Sequence, residues 1–110
     1  KESAHHLLLM AFLQRIINSG GEINREMAVG NGRIDMLVRF RKQEFAMELK
    51  VKWNNRTIEE GKKQLTSYLD TLGLKTGYLI VFDPADIEWD KKIYWKEMTF
   101  NNKTIIMVGL

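Results

Sequence analysis

Asp35, followed thirteen positions later by Glu48-Leu49-Lys50, is the set of residues in this chain best equipped for chemistry. In a strand, residues i and i+2 project to the same face, so Glu48 and Lys50 are expected to point together. The interval back to Asp35 is about that of a strand, a tight turn and half of a second strand, which allows Asp35 to join them. Two carboxylates and an amine converging on one face can hold a divalent cation and activate a water beside it. That is the chemistry of phosphodiester hydrolysis. Taken singly, each residue has a plainer reading, because alternating charges on a strand most often form the solvated face of a sheet.

The surrounding pattern supplies the elements that must position them. In the run 33–40, Ile34, Met36 and Val38 alternate with Arg33, Asp35, Leu37 and Arg39. In the run 45–52, Phe45, Met47, Leu49 and Val51 alternate with Ala46, Glu48, Lys50 and Lys52. One apolar layer is therefore expected to build the core, with Asp35, Glu48 and Lys50 on the opposite, polar face. A strand-like run at 23–29, followed by Gly30-Asn31-Gly32, predicts a hairpin with the run 33–40.

Upstream, Leu9, Phe12, Leu13, Ile16 and Ile17 mark the apolar face of a helix. Ser3 is its expected N-cap and Gly20-Gly21 its stop. Downstream, Thr57 and Glu60 predict a capping box opening a second helix, with Leu65, Leu69 and Leu72 as its buried stripe and Gly73 as its end. Gly61 is a poor helix former and predicts close packing against the sheet. Residues 77–82 read as a central strand covered on both faces, broken by Asp83-Pro84. A helical turn is expected at Trp89-Asp90, then a hairpin of 93–100 and 104–108 around Asn101-Asn102-Lys103. The order is α-β-β-β-α-β with a β-β tail.

The chain has 110 residues, which suits a single domain over 1–110, and is 45% hydrophobic and 28% charged. Its net charge of +3 and pI near 9.2 are compatible with a nucleic-acid partner without demanding one. With no cysteine there is no disulfide and no Cys-ligated zinc, which fits a reducing, cytoplasmic setting. The longest apolar stretch, 7–13, is too short to span a bilayer, so no membrane is expected as partner. The first residue is Lys1, and a domain excised from the C-terminus of a longer protein is expected.

The ordered context of Gly32-Arg33-Ile34-Asp35 and Glu48-Leu49-Lys50 resembles the PD-(D/E)XK nuclease superfamily. More closely, the chain resembles the nuclease-like domain at the C-terminus of certain bacterial AAA-type ATPases. That narrower likeness rests on the leucine-rich first helix through Gly20-Gly21, on Met47-Glu48-Leu49-Lys50-Val51, and on Gln64 with Tyr68. Tyr78-Leu79-Ile80-Val81-Phe82-Asp83 and Ile106-Met107-Val108-Gly109-Leu110 extend it over nearly the whole chain.

The resemblance implies an α/β, restriction-endonuclease-like α-β-β-β-α-β core with a mixed central sheet and a C-terminal β-hairpin. It implies Asp35, Glu48 and the backbone carbonyl of Leu49 as ligands of Mg²⁺ or Mn²⁺, with Lys50 orienting or deprotonating the attacking water. Gln64 and, as weaker candidates, Tyr68 and Glu2 would complete the site. The superfamily's proline is replaced by Ile34, which leaves the ligating carboxylate in place. The implied function is a magnesium-dependent deoxyribonuclease coupled to an N-terminal ATPase, with homodimerisation open. The alternative is a catalytically silent nucleic-acid-binding or protein-interaction module of that ATPase.

Other chemistry-bearing residues have plainer readings. His5-His6 are adjacent and point about 100° apart on a helix, which suits a surface pair better than a ligand pair. Arg25, Arg33, Arg39, Lys52, Arg56, Lys62 and Lys63 can contact phosphates or simply solvate the surface. Trp53 can stack on a base, whereas Trp89 and Trp95 read as packing residues.

Overall fold

The computed structural model describes residues 11, 13–15, 17–29, 32–52, 54–83, 88 and 94–109. Helix α1 is described at residues 11, 13–15, 17 and 18. It is followed by β1 (Glu22–Val29), β2 (Gly32–Phe40), β3 (Gln43–Val51), helix α2 (Asn55–Leu72), β4 (Thr76–Phe82), β5 (Tyr94–Phe100) and β6 (Lys103–Gly109). The strands form one mixed sheet in the order β1-β2-β3-β4-β6-β5. β1, β2 and β3 are an antiparallel meander, as short turns permit. β4 is parallel to both β3 and β6, and α2 provides the long return that a parallel β3–β4 pair requires. β5 and β6 close the sheet as an antiparallel hairpin.

The stops follow the chemistry of their residues. Gly20 takes a φ of 91° and donates its N–H to Ile17 O at 3.0 Å, ending α1. Gly73, at φ 74°, caps α2 with Leu74 N–H donating to Leu69 O at 2.9 Å. The start of α2 differs from expectation. Asn54 is the N-cap, its side chain accepting from Thr57 N–H at 3.0 Å, while Glu60 pairs with Arg56 at 3.2 Å instead of closing a capping box. Asn54 satisfies an amide that Thr57 as a cap would have left in the preceding turn.

Both faces of the sheet are apolar, which corrects the single-layer expectation. Leu37, Ala46, Leu79, Val81, Ile105 and Met107 pack beneath Ile58, Leu65 and Leu69 of α2. Met36, Val38, Met47, Ile80 and Phe82 pack on the other face with Leu13 of α1. Asp35, Glu48 and Lys50 do share a face by strand alternation, but it is the face that α2 covers. They are a polar end to a buried layer. Leu72 is half-buried, and Ile17 lies outside the core at 45% exposure. Trp95 packs edge to face on Tyr78, with ring centroids 6.3 Å apart, yet is 65% exposed on β5. Ser3, Leu9, Phe12, Ile16, the Gly30-Asn31 part of the first turn, Trp53, Pro84 and the Trp89-Asp90 turn lie outside the described residues. Among the described residues, no helix is long and apolar enough to cross a membrane.

Candidate active site

The β2–β3 ladder runs from Phe40↔Gln43 to Met36↔Met47 and goes no further. Beyond it β2 continues against β1 as far as Val29↔Gly32, and β3 continues against β4 as far as Val51↔Phe82. The two strands therefore diverge, and backbone groups facing the wedge need other partners. Side chains supply them. Leu49 N–H donates to Asp35 Oδ2 at 2.7 Å, and Asp35 N–H donates to Glu48 Oε1 at 3.3 Å. The shorter bond has the length expected of a charged acceptor. A strand residue presents its N–H and C=O to the same edge, so the Leu49 carbonyl also faces the wedge.

An open cavity of about 470 Å³ enters here, lined by Arg25, Asp35, Met36 and Leu49. Arg25 sits opposite Met36 in the β1–β2 register, which places it beside the break. Glu48 lies deeper, at 3% exposure. Its pKa is pushed up to about 8, first by burial and then by the charge of Asp35 and a hydrogen bond with it, while Lys50 pulls the other way. A buried carboxyl facing a second carboxylate retains a proton that a cation would displace.

Lys50 is half-buried, and its stem runs beneath α2 at Gly61. A Cβ at residue 61 would stand 3.0 Å from Lys50 Cγ and 3.0 Å from Leu79 Cδ1, so the missing side chain is what admits the lysine. Of the other site candidates, Gln64 is exposed and Tyr68 is half-buried against the core under α2. Neither is hydrogen-bonded to Asp35 or Glu48 among the described residues. Glu2 and His5-His6 lie outside the described residues.

The donors converging on the wedge are oxygens only, which suits a hard cation such as Mg²⁺ or Mn²⁺. Each carboxyl group accepts one backbone N–H, and the two are also hydrogen-bonded to each other. Among the described residues, no group of three or more His, Asp or Glu forms a fuller cage. Several basic residues expected to meet phosphate are instead paired on the surface: Arg39 with Glu44 at 2.7 Å, Arg56 with Glu60 at 3.2 Å and Lys62 with Glu59 at 2.8 Å. Lys52 and Lys63 are exposed.

A second open cavity, about 560 Å³, lies at the turn end of the β2–β3 hairpin and includes Lys42, Phe45, Lys75 and Tyr78. Reading the sequence for catalytic motifs passes over it. Its one sequence signal is Arg41-Lys42 in a tight turn, where Asn or Gly is favoured.

These features define an α/β domain with a mixed sheet and a carboxylate-lined wedge between two of its strands. Residues 1–86 match the family model described as a domain of unknown function, DUF8371, and the chain belongs to that family. No curated protein and no solved structure matches it.

Proposed function

We propose that this domain is a restriction-endonuclease-like nuclease of the PD-(D/E)XK kind, hydrolysing DNA phosphodiester bonds with a divalent cation and working with an N-terminal ATPase of the same chain. The observation that carries the proposal is the break in the β2–β3 ladder, where Asp35 and Glu48 replace backbone pairing and turn a regular hairpin into a cleft with two carboxyl groups at its break. The α-β-β-β-α-β order supports the same reading.

In this reading Asp35, Glu48 and the Leu49 carbonyl would hold Mg²⁺ or Mn²⁺. Such a cation polarises a phosphate and lowers the pKa of a nearby water. Glu48 would have to be deprotonated to serve as a ligand. Lys50, steered by the space at Gly61, orients the attacking water and offsets charge on the phosphate. Gln64 stands on the solvent side of α2, open to substrate.

The test is Mg²⁺- or Mn²⁺-dependent cleavage of supercoiled, linear and single-stranded DNA, comparing wild type with Lys50→Ala and with EDTA controls. Loss of cleavage in both controls supports the proposal, and cleavage that persists in excess EDTA overturns it. A second reading, a protein-interaction module, draws on Trp95, 65% exposed on the edge strand β5. It gains if every substrate stays intact with the parent ATPase present.

A further inference from the structure

We propose that the cavity at the turn end of the β2–β3 hairpin binds a nucleotide unit of single-stranded nucleic acid, its phosphate between Lys42 and Lys75 and its base against Phe45 and Tyr78. The proposal deepens the nuclease reading, since it concerns how a strand is held away from the acidic cleft, and it rests on that reading for its relevance. Five residues of β2 lie between Asp35 and Arg41, about 20 Å of extended chain from one to the other, so the two sites are distinct.

The chemistry of the walls selects the ligand. Lys42 and Lys75 are exposed, come from two different loops, and both line the opening. The carboxylate on the wall, Glu44, is held by Arg39 at 2.7 Å, so it does little to repel an anion. Phe45 and Tyr78 meet edge to face, with ring centroids 6.1 Å apart, and both are half-buried. Gln43 and Thr76 add an amide and a hydroxyl able to bond a base or sugar. Cations beside aromatic surface are how proteins hold single strands, because every base has a face to stack and every unit a phosphate.

The walls are also fixed in advance. Lys103 Nζ donates to Leu74 O at 2.8 Å and Thr104 N–H to Lys75 O at 2.8 Å, tying the loop that carries Lys75 to β6. At the hairpin turn, Arg41 and Lys42 both hold left-handed backbone, at φ 52° and 66°. Neither residue favours that region, whereas the other two-residue turn uses Asn101 and Asn102 at φ 50° and 64°. Arg41 lies over the Phe40 ring at 5.0 Å, whereas Lys42 lines the cavity, and a cation in a strained position there points to a use.

The test is an NMR titration of the full ¹⁵N-labelled chain in EDTA, where cleavage cannot contribute. The probes are a short oligothymidylate, thymidine 5′-monophosphate and inorganic phosphate. The oligonucleotide is expected to shift the amides of Gln43, Phe45, Thr76 and Tyr78, and Lys42→Glu with Lys75→Glu to weaken binding at least tenfold while spectral dispersion is kept. Equal affinity for the monophosphate overturns the assignment to a strand, and equal affinity for inorganic phosphate reduces the site to an anion contact and overturns it too. Shifts confined to the Asp35–Glu48 wedge, or none, also overturn it. Cleavage by wild type without shifts at the cavity leaves the nuclease reading standing and sinks this one. Shifts at the cavity without cleavage of any substrate do the reverse.

Discussion

The two hairpins with described turns, β2–β3 inside the sheet and β5–β6 at its edge, are closed by the same geometry and differ at both ends. In β5–β6 the turn is Asn101-Asn102, and the ladder runs without interruption from Phe100↔Lys103 to Tyr94↔Gly109. In β2–β3 the turn is Arg41-Lys42, and the ladder opens after Met36↔Met47. Asparagine tolerates left-handed backbone through local hydrogen bonding, whereas a long side chain there costs on the order of 1 kcal/mol. One hairpin obeys local rules throughout. The other breaks them at its turn and again at its mouth, and a cavity lies at each break. Departures from local consistency tend to mark function, so β2–β3 is where activity should be sought.

The largest effect should come from the mouth. Lys50→Ala is expected to lower DNA cleavage by roughly 10²–10⁴-fold, the range for losing one positioned catalytic group. Lys96→Ala, at an exposed position on β5, should leave the rate unchanged. Parallel rate assays and melting curves would check both, and equal effects would erase the contrast between hairpins.

The pH response comes next. Glu48 has a raised pKa, near 8, so the folded state keeps its proton where the unfolded chain has lost it. Between the ordinary carboxylate range and about pH 8 the folded state binds more protons, and stability must fall as pH rises. The slope is at most about 1.4 kcal/mol per pH unit for one group. Urea midpoints measured across that window should decline for wild type and stay flat for Glu48→Gln. Added Mg²⁺ should restore wild type at pH 8 and leave the variant unmoved. A flat wild-type profile would mean that Asp35 and Glu48 are not electrostatically opposed.

Smaller effects sharpen the comparison. Gly61→Ala gains helix propensity of about 1 kcal/mol but crowds Lys50, so melting should change little while cleavage drops about tenfold. At the turns, Arg41→Asn with Lys42→Gly should raise stability by about 1 kcal/mol. Asn101→Arg with Asn102→Lys should lower it by about as much. Thermal melts of the two pairs would decide whether the first hairpin carries strain that the second does not.

Sequence alternation was enough to place Asp35, Glu48 and Lys50 on one face, because a period of two is intrinsic to a strand. It could not say what packs there. Leu37 and Ala46 share their parity, and α2 covers them, so the face taken as polar is largely core. Gly61 was legible because a glycine inside a helix needs a packing reason, and the reason is Lys50. Asn54 and Thr57 are both good caps, and only the finished hydrogen bond between them decides which begins the helix. The ladder break was invisible for a similar reason, since it depends on how β1 and β4 draw β2 and β3 apart. Lys42 and Lys75 are far apart in sequence and meet through the parallel pairing of β3 and β4.

β4 is parallel to its neighbours on both sides, and that arrangement has a kinetic consequence. The meander over residues 22–51 and the hairpin over residues 94–109 close through short loops, whereas β4 must recruit partners distant in sequence. Local contacts form sooner than distant ones, so β4 should be the last strand seated, joining two preformed halves. Amide exchange at residues 79–81 should then require global unfolding, and exchange at Asp35 and Leu49 should need only local opening. Because β3 beyond Met47 is held by β4 and not by β2, the acidic mouth would take its final shape only when β4 joins the two halves.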